Sequence, residues 1–135
     1  MKSSLKIISA VMLSTAWAGL AASEQTSSSM LCAVTSTLSC DSQGECFIGP
    51  ASTVNMPTFM NFHLDKKVVE SARKGGDRRT SKIVSVSNQG DALVLLGDEG
   101  TNGWSATIHK SSGNLTGSVA TDGIGYLIFG SCLPY

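Results

Sequence analysis

The chain has 135 residues, with ten Lys or Arg against ten Asp or Glu, four cysteines and two histidines. That length suits one domain and hardly two. A formal net charge of zero leaves no basic surplus to hold nucleic acid or an acidic membrane, so neither is expected as a main partner.

Met1–Ala22 opens on Lys2 and Lys6, runs through the apolar stretch Ile7–Leu20 and ends on the small residues Gly19, Ala21 and Ala22. This is the layout of a secretory signal peptide, with cleavage after Ala21, Ala22 or Ser23. The apolar run is broken by Ser9, Ser14 and Thr15 and falls short of the ~20 residues that span hydrocarbon. No stable membrane anchor is therefore expected after cleavage, and the protein is expected to be periplasmic or secreted. Once Lys2 and Lys6 are removed, eight basic residues face ten acidic ones. Residues 23–30 (SEQTSSSM) form a polar, flexible lead-in, and residues 31–135 form a single β domain.

Four cysteines in an exported chain favour two disulfides. A zinc site is the rival, but there is no C-x-x-C pair, and neither His63 nor His109 has a ligand neighbour at short spacing. No metal or other cofactor is expected. Of the three possible connectivities, strand geometry favours one. Cys40 and Cys46 flank a five-residue loop containing Gly44, which suits a hairpin with the two cysteines as cross-strand partners. In that register Cys32 faces a residue near 54, leaving Cys32 to bond Cys132 and clasp the first strand to the last. On the chain-entropy model the short loop contributes roughly 2.4 kcal/mol and the long one roughly 4.7.

Pro50–Pro57 carries two prolines and Asn55, and suggests an irregular connection or an interrupted edge. Thr58–Leu64 alternates Met60, Phe62 and Leu64 with Asn61 and His63, as a half-buried strand does, and a turn at Asp65-Lys66 leads into Val68–Ser71. Arg73–Lys82 then holds Arg73, Lys74, Arg78, Arg79 and Lys82, five of the eight basic residues beyond the leader, around Gly75-Gly76. It reads as a solvated hairpin tip and as the candidate partner-binding loop. With no aromatic residue among its charges, it offers no stacking platform for single-stranded nucleic acid.

Ile83–Ser87 is a strand that ends at the turn Asn88-Gln89-Gly90. Ala92–Leu96 is apolar on both faces, as a strand covered on two sides would be. Gly97–Gly103 reads as a glycine-rich loop, without the spaced acidic ligands of a calcium-binding hand. Gly103–Cys132 then carries the clearest β signal. Trp104, Ala106 and Ile108 share one face, and Lys110–Gly113 suits a type I turn closed by a glycine bulge. Leu115, Gly117 and Val119 continue that inner face, and Asp122-Gly123 marks a two-residue hairpin. Ile124–Cys132 is apolar on both faces, which suits a strand covered on both sides or closed against the first. Eight or nine short strands with no amphipathic helix predict an all-β fold, a small antiparallel meander barrel or sandwich held by disulfides.

Catalytic signals are sparse. Ser105, Thr107 and His109 share a polar strand face, so a serine-type hydrolase using Ser105 and His109 is the alternative reading. No G-x-S-x-G elbow supports it, and no catalytic residue is assigned. Trp104 and Tyr126 could line a pocket, since small barrels sometimes hold one small molecule.

Leu31-Cys32-Ala33, the Cys40…Cys46 spacing, Trp104-Ser105 followed by Ser112-Gly113, and the ending Ile128-Phe129-Gly130-Ser131-Cys132 resemble a group of small exported bacterial proteins of unassigned function. More loosely, the architecture is similar to that of periplasmic lysozyme inhibitors, whose Ser-Gly-x-x-Tyr and Thr-Lys-Gly segments are absent here. The resemblance implies a disulfide-closed β domain in the cell envelope and no particular site. The expected function is an exported, non-enzymatic β-barrel that binds an envelope protein or a small apolar ligand, with a structural or surface-assembly subunit as a further alternative.

Overall fold

The structure, a computed structural model, describes residues 28–72 and 78–134. The expected signal peptide lies outside them. Nine strands follow one another: β1 (Ser29–Asp41), β2 (Cys46–Gly49), β3 (Phe59–His63), β4 (Val68–Ala72), β5 (Arg78–Gln89), β6 (Ala92–Glu99), β7 (Asn102–His109), β8 (Asn114–Ala120) and β9 (Ile124–Pro134). They pair antiparallel in the order β2-β1-β3-β4-β5-β6-β7-β8-β9, and β1 also pairs with β9, closing an eight-stranded barrel from which β2 is left outside. Closure removes most of the exposed edge that an open meander would leave for aggregation.

β1 makes closure possible because it is long enough to serve three partners. Its first half pairs with β3, its second half with β2, and its other edge with β9 from Met30 to Asp41. A bulge between Val34 and Ser36 bends it, and the Thr35 hydroxyl donates to the Phe129 carbonyl across the bulge. A second bulge, between Ile83 and Ser85, bends β5. Extra residues of this kind sharpen local twist and let a strand follow a barrel wall. Gly130 serves the same end, since a Cβ there would run into the carbonyl oxygen of Ala33.

Both predicted disulfides are present, Cys32–Cys132 and Cys40–Cys46, and each joins residues directly opposed across a ladder. Cys32 and Cys132 are buried in the core, whereas Cys46 is exposed.

Inward-facing residues alternate along every strand, as the period of two requires. At one end they meet and fill the barrel: Ile83 and Leu95 are 0% exposed and Ile108 is 1% exposed. Leu93, Leu115 and the Cys32–Cys132 bond pack with them. Burial on this scale contributes ~1.5–3 kcal/mol for each large side chain. The turns Leu64–Lys67, Gly90-Asp91 and Lys110–Gly113 close this end. Gly113 takes a positive φ of 74°, its N–H donates to the His109 carbonyl, and its own carbonyl accepts from the Cys132 N–H.

Several boundaries differ from the sequence expectation. β1 begins at Ser29, two residues ahead of the expected start of the β domain, and Met30 is in the core. Pro50–Pro57 contains a single 3₁₀ turn, η1 (Ala51–Val54), ended by Asn55 in the left-handed region. That turn carries the chain from β2 to β3, so Cys32 faces Met60 rather than a residue near 54. Arg78–Lys82 is strand rather than loop, and the glycine-rich segment narrows to Gly100-Thr101 because Gly97–Glu99 and Asn102-Gly103 pair as the ends of β6 and β7. Ala92–Leu96 is not covered on both sides, since Leu96 is 49% exposed, and Ile124–Cys132 is closed against the first strand, with Leu127 and Phe129 42% and 41% exposed on the outer wall.

Candidate functional site: the open end of the barrel

At the end opposite the packed core the interior holds a cavity of about 260 Å³. It arises because inward side chains shrink along three neighbouring strands. β6 passes from Leu95 to Gly97, β7 from Ile108 to Ala106, and β8 from Leu115 to Gly117. The space beside Gly97 is taken by the Trp104 ring, which a Cβ on residue 97 would strike. Beyond that ring the barrel stays open.

Phe62 and Trp104 form the floor, their rings 6.5 Å apart and edge to face at 82°. The Trp104 indole N–H donates to Ser81 Oγ at 2.7 Å, and the Ser81 hydroxyl donates to the Asp98 carbonyl at 3.1 Å. This chain fixes the ring plane and satisfies the one polar group of a half-buried indole. One wall is apolar: Met56, Met60, Val119, Tyr126 and Ile128 line it. Ala51 of η1 packs on Val34 and Ile128 behind it. The irregular stretch after Pro50 thus has a structural task, which is to bring Val54, Asn55 and Met56 over the mouth.

The other wall is polar. Ser71 is opposite both Met60 and Arg79, and Ser81 is opposite Val69. Because Met60 and Val69 point inward, so do Ser71, Arg79 and Ser81. By the same alternation Glu99 follows Leu95 and Gly97 on the inner face of β6. The Arg79 guanidinium and the Glu99 carboxylate meet at 2.8 Å, each side chain about two-fifths exposed, with Asn102 beside them. Ser71 is buried, and its hydroxyl reaches the Arg79 carbonyl at only 3.4 Å, a weak bond by geometry.

No family model, curated protein or solved structure matches the chain. The site must therefore be judged on its own chemistry.

The structure divides the basic cluster. Arg79 turns into the cavity, Arg78 lies outside and 4.0 Å from Glu70, and Lys82 is exposed on the outer face of β5. Arg73 and Lys74 lie outside the described residues. Sequence reasoning placed Arg79 in a solvated loop. The period-two row Arg79, Ser81 and Ile83 was the available signal for a strand, and the density of charge obscured it.

Ser105 and His109 are not brought together. Both lie on β7, four residues and so about 13 Å apart along a strand. Ser105 Oγ pairs instead with Ser118 Oγ at 2.8 Å, and His109 Nδ1 lies 3.5 Å from Asp91. That Asp91 carboxylate accepts from the Ser111 hydroxyl at 2.7 Å and from the Ser111 N–H at 2.9 Å. The Ser111 hydroxyl bond is the main reason its pKa falls below the ordinary carboxylate value, with His109 adding to the effect. Ser105 is thus bonded to Ser118 and the His109 imidazole faces Asp91, whereas a base must touch its nucleophile to activate it. Among the described residues no three His, Cys, Asp or Glu side chains converge on a metal-sized site.

Proposed function

We propose that this protein is a binding module that takes one compact, mainly apolar small molecule into the open end of its barrel. The observation that carries this reading is the uneven filling of a single interior, solid at the Leu95 end and empty above Trp104. Eight-stranded barrels are just wide enough to be filled by side chains or to hold one small ligand, and here both outcomes share one barrel. The volume lies below the ~300–1,000 Å³ of sites for drug-sized molecules, so the occupant is a single ring or a short branched chain. The two disulfides suit an oxidising compartment, which supports the reading that the binding takes place in the envelope or outside the cell.

Two-dimensional NMR against a panel of small aromatic and aliphatic compounds tests the reading. Binding should move the Trp104 indole N–H and the methyl signals of Met56, Met60 and Val119, and a Val119→Phe variant should fill the cavity and abolish those shifts while the remaining spectrum is kept. Panel compounds that move only outer-wall signals, or none, would refute it.

A further inference from the structure

The cavity has no net charge, yet its mouth holds one full charge of each sign on side chains that face inward. Arg79 offers five N–H donors in a fixed fork, and Glu99 engages it through one carboxylate oxygen at 2.8 Å. Arg79 and Glu99 are the charged side chains among those lining the cavity, and Ser81 beside them is committed to Trp104 and to the Asp98 carbonyl. A head group entering the mouth must therefore deal with Arg79 and Glu99 together. A lone anion can take Arg79 only by leaving the Glu99 carboxylate beside a second negative charge. A lone cation leaves Arg79 in the mirror situation. Both cost free energy, because an unpaired charge in a partly desolvated site loses hydration without replacement.

We infer that the cavity binds a zwitterion of the α-amino-acid kind, its single-ring or branched apolar body against Phe62, Trp104 and the apolar wall, its carboxylate on Arg79 and its ammonium on Glu99. The inference rests on the cavity being a binding site and adds the chemical class of its occupant. The resting ion pair then acts as a placeholder, opening to be replaced by two pairs of the same sign pattern. Half-exposed, that resting pair adds little net stability, so little opposes its exchange. Carboxylate recognition by a guanidinium is bidentate and directional, which orients the ligand ring inward. Discrimination comes from repulsion of singly charged analogues as much as from attraction of the right one.

The test uses four probes with one phenyl ring in common: L-phenylalanine, phenylacetate, 2-phenylethylamine and toluene, titrated by calorimetry and by NMR on the purified protein. L-phenylalanine should bind at least tenfold tighter than either singly charged compound. Arg79→Met should shift the preference towards 2-phenylethylamine, and Glu99→Gln towards phenylacetate, with the methyl signals of the packed core residues Leu95, Ile108 and Leu115 kept in both variants as the check on folding. If phenylacetate or 2-phenylethylamine equals L-phenylalanine, or if neither variant shifts the preference, the zwitterion inference is overturned. Toluene bound in the cavity alongside that result leaves the apolar binding site standing, whereas no binding by any of the four overturns both.

Discussion

At the packed end of the barrel Leu95, Ile108 and Leu115 are buried in one core cluster, while a few residues along the same three strands Gly97, Ala106 and Gly117 leave the interior open. The packed end also carries the buried disulfide, and hydrogen bonds stitch its turns together: the Asp91 carbonyl accepts from the Lys110 N–H and its carboxylate from the Ser111 N–H, and Lys110 Nζ donates to Asn88 Oδ1. The open end has the Cys40–Cys46 disulfide, the 3₁₀ turn η1 and the Arg79–Glu99 ion pair. The contrast teaches that the two ends answer to different demands. One end supplies the stability of the domain, which frees the other to keep space that a stability optimum would have filled.

The largest effect that could break this contrast is loss of a disulfide. Cys32→Ala with Cys132→Ala removes a bond that closes a loop across 100 residues and empties volume from the core. Cys40→Ala with Cys46→Ala opens a hairpin across only six residues at the surface. Urea unfolding should show a loss of about 4–5 kcal/mol for the first pair and about 2 for the second. Equal losses, or the reverse order, would show that the open end carries more of the stability than its packing suggests.

Core truncation asks the same question on a smaller scale. Leu95→Ala leaves a cavity in a fully enclosed site and should cost about 3–5 kcal/mol. Met56→Ala widens a space that is already open to solvent, and should cost about 1 kcal/mol or less. The cavity enlarged by Met56→Ala should still accept toluene, whereas Leu95→Ala should lower the unfolding midpoint without changing what the open end binds. Unfolding curves paired with toluene titrations check both halves of this expectation.

How far the sequence carries the reader also differs between the two ends. The packed end is legible because its signals are local and reinforce one another. Ile108 and Leu115 fall on period-two rows, Gly113 closes the turn between them, and Cys132 is left as the partner of Cys32. At the open end the hairpins at Cys40–Cys46 and Asp122-Gly123 are legible, but the cavity wall is not, because its parts come from positions where local rules conflict. Arg79 looks like loop charge, and only its ladder with β4, Ser71 opposite Arg79, turns it inward. Glu99 lies in a glycine-rich run that reads as a loop until Gly97–Glu99 pair with Asn102–Trp104. Pro50–Pro57 has no period, and its role over the mouth follows from where β1 and β3 leave their ends. The exposure of Leu96, Leu127 and Phe129 has the same origin: a strand apolar on both faces has two covered sides in a layered fold, but only one in a barrel.

The smallest expected effect concerns the stitching at the packed end. Asp91 is half-exposed, and its pKa lies below the ordinary carboxylate value because the Ser111 hydroxyl and N–H, and secondarily His109, favour the charged form. A folded-state pKa below the unfolded one means that the carboxylate's contribution is complete above the unfolded value of about 3.9. It fades as pH falls through the lowered folded value, when the proton displaces Ser111. The contribution therefore vanishes only in acid and is insensitive to pH near neutrality. Following the Asp91 carboxyl carbon by NMR during acid titration should give a midpoint below that of an unfolded reference peptide, and Ser111→Ala should return it most of the way while His109→Ala returns it less. A larger response to His109→Ala would make the imidazole the dominant partner and tie the packed end to histidine titration instead. The binding preferences at Arg79 and Glu99, which lie at the other end of the barrel, should be the same in both variants.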